Sequence, residues 1–154
     1  MNLVDRLRGG IAERRRSIVI VGDAIVDRWV HGRTEESQDG CHKFVQEKVV
    51  TTPGGAANAE QCLSHWNINT YLYSFSMGDR PVKTRFLDAD GSIIFRWDDE
   101  RQDPGAKRWA CEQALEMIRH AGAVLLSDYD KGFLTPGFVQ QVVTGCRQHS
   151  IPCI

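Results

Sequence analysis

Apolar positions along this chain fall into short continuous runs that alternate with helical spacings. Ser17 to Gly22 (Ser-Ile-Val-Ile-Val-Gly) is a β-branched run of the kind a strand covered on both faces requires. Phe44 to Val50 interleaves Val and Phe with Gln, Glu and Lys, as a half-exposed strand would. Between them, Gly32 to Gly40 is polar and turn-like. Ala56 to Trp66 predicts a helix directly behind a glycine pair, and Thr70 to Ser76 is rich in β formers. Val82 to Leu87 and Ser92 to Asp98 flank Asp88-Ala89-Asp90-Gly91, a hairpin signal in which glycine supplies a positive φ. Ala106, Trp109, Ala110, Ala114, Met117, Ile118 and Ala121 recur at helical spacing, with Gly122 as the stop. Ala123 to Ser127 is a further buried-type strand. Thr135-Pro136 is an N-cap and first-turn pair for a helix to about Gln148. Another apolar run begins at Ile151.

Strands alternating with helices imply right-handed crossovers and an α/β fold with a mostly parallel sheet. The two half-polar segments, Phe44–Val50 and Val82–Asp98, fit that sheet poorly and predict a small separate antiparallel layer. At 154 residues, 42% hydrophobic and 25% charged, the chain is of ordinary globular composition and long enough for one domain with a core. A formal net charge of −1 gives no field for nucleic acid or an anionic membrane. No apolar run approaches the ~20 residues of a membrane span, and the N-terminus lacks a signal-peptide core, so a cytoplasmic location is expected. Arg6, Arg8, Arg14, Arg15 and Arg16 crowd the start and read as a solvated helix face. Five cysteines without framework spacing read as reduced thiols. Cys62 with His65 and Cys146 with His149 are each one helical turn apart, but distance along the chain argues against a shared zinc site; no metal ligand is assigned.

In open parallel sheets, ligands gather beyond the carboxyl ends of the strands. Asp23 and Asp27 follow the first strand there, and carboxylates accept hydrogen bonds from sugar hydroxyls. For Asp23 a turn-capping role weighs equally; for Asp27 ligand contact is preferred. Gly54 and Gly55 permit close backbone approach at a helix start, and Asn58 can donate and accept. Lys83 and Arg85 alternate on one strand face, with Arg96 on the hairpin partner. The three could hold a sugar phosphate or simply keep a hairpin soluble. Asp128 and Lys131, in Ser127-Asp128-Tyr129-Asp130-Lys131-Gly132, lie at the same sheet end, where a polar turn is the plain alternative. No P-loop and no catalytic nucleophile set is present.

These segments occur in a recognisable order: Val21-Gly22-Asp23-Ala24-Ile25-Val26-Asp27-Arg28-Trp29, Pro53-Gly54-Gly55-Ala56-Ala57-Asn58, Lys83-Thr84-Arg85, Arg96-Trp97-Asp98 and Leu126-Ser127-Asp128-Tyr129-Asp130-Lys131-Gly132. Over about residues 15–154 they resemble the N-terminal half of the ribokinase-like (PfkB-type) carbohydrate kinases. Within that family the likeness is greatest to the bacterial heptose 7-phosphate kinase domain of ADP-heptose synthesis. The resemblance implies one truncated ribokinase-like domain over 1–154, with lid segments at about 30–52 and 82–98. It puts Asp27, Gly54, Gly55 and Asn58 on sugar-binding positions and Lys83, Arg85 and Arg96 on the lid. It implies a sugar or sugar phosphate as ligand, and a partner that is either a second copy across the lid or a missing C-terminal half.

The chain departs from the family in three ways. A helix and strand usual between Ser76 and Val82 are reduced to Met77-Gly78-Asp79-Arg80-Pro81. Ser37-Gln38-Asp39-Gly40-Cys41-His42-Lys43 replaces a proline-rich lid stretch, and Asp130 stands where heptose kinases prefer glycine. The sequence also stops before the Gly-Ala-Gly-Asp motif that supplies the catalytic base. ATP and Mg²⁺ are thus implied for a complete family enzyme, but no catalytic residue and no cofactor is assigned to these residues. The reading is the sugar-binding half of an ATP-dependent carbohydrate kinase, not catalytic alone; the alternative is a non-catalytic sugar-binding or lid-dimerised derivative.

Overall fold

The computed structural model describes residues 17–100 and 104–154. The arginines at 6, 8 and 14–16 lie outside the described residues. The elements in order are β1 (Ser17–Gly22), β2 (Ala24–Glu36), β3 (His42–Gly55), α1 (Ala56–Ser64), β4 (Asn69–Tyr73), β5 (Val82–Leu87), β6 (Ile93–Asp99), α2 (Pro104–Ile118), β7 (Ala123–Ser127) and α3 (Pro136–Gln148).

The first sheet is parallel, in the order β4-β1-β7. Its centre is the β-branched run of β1, in which Val19, Ile20 and Val21 are fully buried. Because successive strand residues face opposite ways, Val19 and Val21 turn to the core formed with α2 and α3 (Ala110, Ala114, Ile118, Phe138, Val142 and Cys146). Ile20 turns to the other face, and α1 packs along β1 and β4. The last three residues continue the sheet beside β7: Val124 N–H donates to the Pro152 carbonyl at 2.8 Å and Leu126 N–H to that of Ile154 at 2.8 Å. The Thr135 side chain caps α3 by accepting from Phe138 N–H, with Pro136 opening the first turn. In α2 the predicted apolar stripe holds at Ala110, Ala114 and Ile118, but Trp109 is 65% exposed. At 3.6 residues per turn it falls one position off the buried stripe.

The second sheet has the order β3-β2-β5-β6 and forms a lid. The β2–β3 and β5–β6 pairs are antiparallel, whereas β2–β5 is parallel. The predicted turn at Asp88-Ala89-Asp90-Gly91 is present, with Gly91 at φ 84° and Gly91 N–H donating to the Asp88 carbonyl at 2.8 Å.

The turn expected over Gly32 to Gly40 is a correction. Gly32 to Glu36 belong to β2, and the reversal is confined to residues 37–41. Gly32 marks a bulge in the β2–β3 pairing. A Cβ there would lie 2.2 Å from the Val45 carbonyl oxygen and 2.6 Å from the Phe44 ring. The glycine serves close packing inside a strand rather than chain reversal.

Candidate functional site

The site forms where the chain leaves the parallel sheet for the lid. Gly22 ends β1 against Ser127, whose carbonyl oxygen would be 2.1 Å from any Cβ at this position. Asp23 follows and is fully buried. Its Oδ2 accepts from Tyr129 N–H at 2.8 Å and Lys131 N–H at 3.1 Å, and its Oδ1 from Phe133 N–H at 2.9 Å. One carboxylate therefore organises the whole turn after β7. Of its two expected roles, ligand contact and turn cap, the geometry gives Asp23 the cap, of a turn 106 residues further on.

Four residues on, Asp27 sits in β2, part-buried and facing Gly54 of β3. Its Oδ1 accepts from Arg85 Nη1 at 2.7 Å. A Cβ on Gly54 would lie 2.2 Å from its Oδ2, so only glycine leaves this carboxylate its place. Gly55 completes the turn at φ 57° and ψ −135°, a conformation glycine adopts readily, and is the N-cap position of α1. Its missing Cβ is equally required, since one would meet the Asp23 carbonyl oxygen at 2.2 Å. That oxygen accepts from Ala56 N–H at 2.9 Å. No side chain caps α1, and Asn58 is exposed in its first turn. The two acidic residues are thus divided: Asp23 fixes backbone, while Asp27 borders the glycine turn.

On the lid, cross-strand register aligns Thr52, Asp27, Lys83 and Asp98 in one row, and Val50, Trp29, Arg85 and Arg96 in the next row along the same face. The Arg85 guanidinium lies 4.5 Å from the centre of the Trp29 ring, a cation–π stack that holds it toward Asp27. Arg96 grips Asp98 with two bonds, Nε to Oδ1 at 2.8 Å and Nη2 to Oδ2 at 2.5 Å. This pairing holds the Asp98 carboxyl below the usual carboxylate range, helped by the neighbouring charges of Lys83 and Lys131. Lys131 Nζ reaches Glu100 at 2.5 Å, tying the turn after β7 to the end of β6. Asp128 is exposed, and its Oδ1 accepts from Asp130 N–H at 2.9 Å.

Of the predicted residues, Asp27, Lys83, Arg85 and Arg96 share one face of the lid, Gly54, Gly55 and Asn58 stand where β3 passes into α1, and Lys131 on the turn after β7 reaches the end of β6. Trp29, Asp98 and Glu100 were missed as site residues. The signal was present for two of them, since Trp29 and Asp98 stand two residues from Asp27 and Arg96 on the same strand face. Glu100 had no such signal, because its partner Lys131 is 31 residues away in sequence. Among the described residues, no three His, Cys, Asp or Glu side chains cluster as a metal site. Cys62 on α1 and His65 just past its end are exposed, whereas Cys146 is buried in the core, where burial pushes its thiol up to about 12.

A parallel sheet flanked by helices, with a lid crossing from its central strand, is the architecture of the ribokinase-like carbohydrate kinases, and this chain has that fold. The Arabidopsis thaliana ribokinase complexed with ribose and ATP matches with a TM-score of 0.60 at 17% identity, covering 90% of this chain and 52% of that one. The Escherichia coli phosphofructokinase-2 in complex with fructose-6-phosphate matches with a TM-score of 0.52 at 15% identity, covering 91% and 54%. In sequence the chain is similar to the bifunctional protein HldE. It is 27% identical over 167 residues to the protein of Granulibacter bethesdensis, covering 88% of this chain and 34% of the relative. It is 28% identical over 172 residues to the protein of Klebsiella pneumoniae subsp. pneumoniae, covering 91% and 35%. The chain thus spans about a third of the length of these curated relatives. No family model matches it.

Proposed function

We propose that this chain is the acceptor-sugar-binding part of an ATP-dependent carbohydrate kinase. The observation that carries the reading is the pairing of the Asp27 carboxylate with the Gly54-Gly55 turn. It sits where β1 passes into the lid at the carboxyl end of the parallel sheet, and the same lid face carries further hydrogen-bonding groups. Asp27 accepts from a sugar hydroxyl through the oxygen not taken by Arg85. Gly54 and Gly55 let the sugar approach the backbone, and Asn58 completes the set from the first turn of α1. Lys83, Arg85 and Arg96 bound the site from the lid, and Asp128 and Lys131 rim it from the turn after β7.

Phosphoryl transfer rests on positioning and on stabilising charge. The residues named here position the acceptor. Activation of its hydroxyl, and the binding of ATP with Mg²⁺, are assigned to the remainder of a complete enzyme, since the chain covers about half of the solved kinases it resembles. Saturation-transfer NMR against a panel of pentoses, hexoses, heptoses and their phosphates tests the reading. Saturation should reach the ring protons of at least one of them and weaken in Asn58→Ala. No transfer to any sugar from a folded sample would count against the site.

The outer face of the lid favours a second property, self-association. Phe95 and Trp97 alternate with Arg96 and Asp98 along β6, so they face away from the site, and they are 60% and 54% exposed. With Phe86, whose ring centre lies 5.8 Å from that of Phe95, they form an apolar surface suited to a second copy of this chain. Sedimentation should give a dimer for the native chain and a monomer for Trp97→Glu; a native monomer at micromolar concentration would contradict this.

A further inference from the structure

The parallel sheet ends at β4, which pairs with β1 on one side; among the described residues no strand pairs with it on the other. The connection over 74–81 runs straight to β5 in the lid and lays no further strand there. Open strand edges are usually guarded by charge, proline or a bulge. This one is not. From Trp66 to Gly78 the chain carries no charged residue and no proline, and the β1–β4 pairing has no register shift. Tyr71 and Met77 are exposed.

A groove of about 500 Å³ lies at the carboxyl end of this strand, lined by the six consecutive residues 72–77, by Arg80, and by Trp109 and Ala110 of α2. Neighbouring residues of an extended chain face opposite ways, so a groove that meets six in a row follows the backbone rather than one side-chain face. Among the described residues none from β1, β2 or β7 lines it, which places it on the open side of β4. The lining is mostly apolar and aromatic, with one cation, the usual make-up of a ligand groove. The Arg80 Nε is buried without a hydrogen-bond acceptor, which is costly. Glu60 contributes only a distant charge to it.

We propose that β4 takes up an extended peptide of another protein as one more parallel strand. The peptide's C-terminal carboxylate sits on Arg80, and an apolar last side chain packs on Trp109 and Met77. Parallel addition brings a carboxylate to the Arg80 end of the strand; antiparallel addition would bring an ammonium to a guanidinium. The carboxylate supplies the acceptor that Nε lacks, and the unbranched Met77 adjusts to the incoming side chain. Backbone hydrogen bonds along the uncharged edge supply the rest. Residues 152–154 of a second copy are paired beside its own β7, so they are not the occupant. The groove is separate from the proposed sugar site.

Isothermal titration of the full chain with acetyl-Lys-Thr-Val-Thr-Val-Phe tests the proposal. The free acid should saturate, and its C-terminal amide should bind at least about tenfold more weakly, a ratio equivalent to ~1.4 kcal/mol. Arg80→Gln should bring the acid down to the level of the amide. Trp109→Ala, at an exposed position where folding is not at stake, should weaken the acid by about tenfold, as loss of a tryptophan anchor does. Acetyl-Lys-Thr-Pro-Thr-Pro-Phe, which cannot donate along the edge, and acetylphenylalanine should both fail to saturate. Equal affinity of acid and amide, unchanged binding by Trp109→Ala, or no saturation of a folded native chain would overturn the proposal. Binding of the proline peptide or of acetylphenylalanine as tightly as the first peptide would overturn it too, leaving a site for a small carboxylate.

Discussion

At the scale of single residues, the site is set by what is missing from two glycines and by what one carboxylate holds. Gly54 gives way to Asp27 Oδ2, so Gly54→Ala forces either the carboxylate or the strand to move. We expect a loss of ~1–3 kcal/mol in stability, as overpacking generally costs, together with loss of sugar binding; denaturant titration and calorimetry read the two effects separately. Asp130 offers the opposite case. It adopts φ 55°, in the left-handed region where glycine is favoured and Asp is tolerated. Asp130→Gly should raise stability by up to ~1 kcal/mol, the ~1–2 kcal/mol cost of the left-handed conformation less the ~0.5–1 kcal/mol of added unfolded-chain entropy that glycine brings, seen as a higher thermal midpoint. As candidates, Asp27, Gly54, Gly55 and the lid cations stand out in the sequence because carboxylate, glycine pair and alternating cations are local patterns. Which turn Asp23 caps was not legible, since its three donors lie more than a hundred residues further on and only the pairing of β1 with β7 brings them near.

At the scale of elements, the parallel sheet was legible because each strand is a continuous apolar run and each helix start is marked. Thr135→Ala removes the acceptor for Phe138 N–H and should cost about 1 kcal/mol, the typical worth of such a cap, with little change in sugar binding because α3 lies on the far face of the core. Equal stability of the two proteins in urea would show that the cap is idle. The lid was harder to read. Its strands are half-polar, one of its pairings is parallel, and Gly32 resembles a turn signal while sitting in a bulge under Phe44. A glycine needed for close packing and one needed for reversal look alike in sequence; the partner strand separates them. The segment 74–81 carries the chain straight from β4 in one sheet to β5 in the other, which matches the shortened connection noted between Ser76 and Val82.

At the scale of the whole molecule, the two sheets are joined through Asp23, between β1 and β2, and the residues proposed to hold a sugar stand on the lid side of that junction. The ion pair of Lys131 with Glu100 links the turn after β7 to the lid end. Asp27 either contacts sugar or serves only as the partner of Arg85. The most direct measurement is isothermal titration of native chain and Asp27→Asn with the sugar that binds the native chain best, each sample checked by thermal melting. Asn keeps the shape and removes the charge. The account predicts saturable binding by the native chain and a loss of at least about tenfold (~1.4 kcal/mol) in the variant while it remains folded. Equal affinity in both proteins would show that Asp27 does not touch the sugar and would contradict the account.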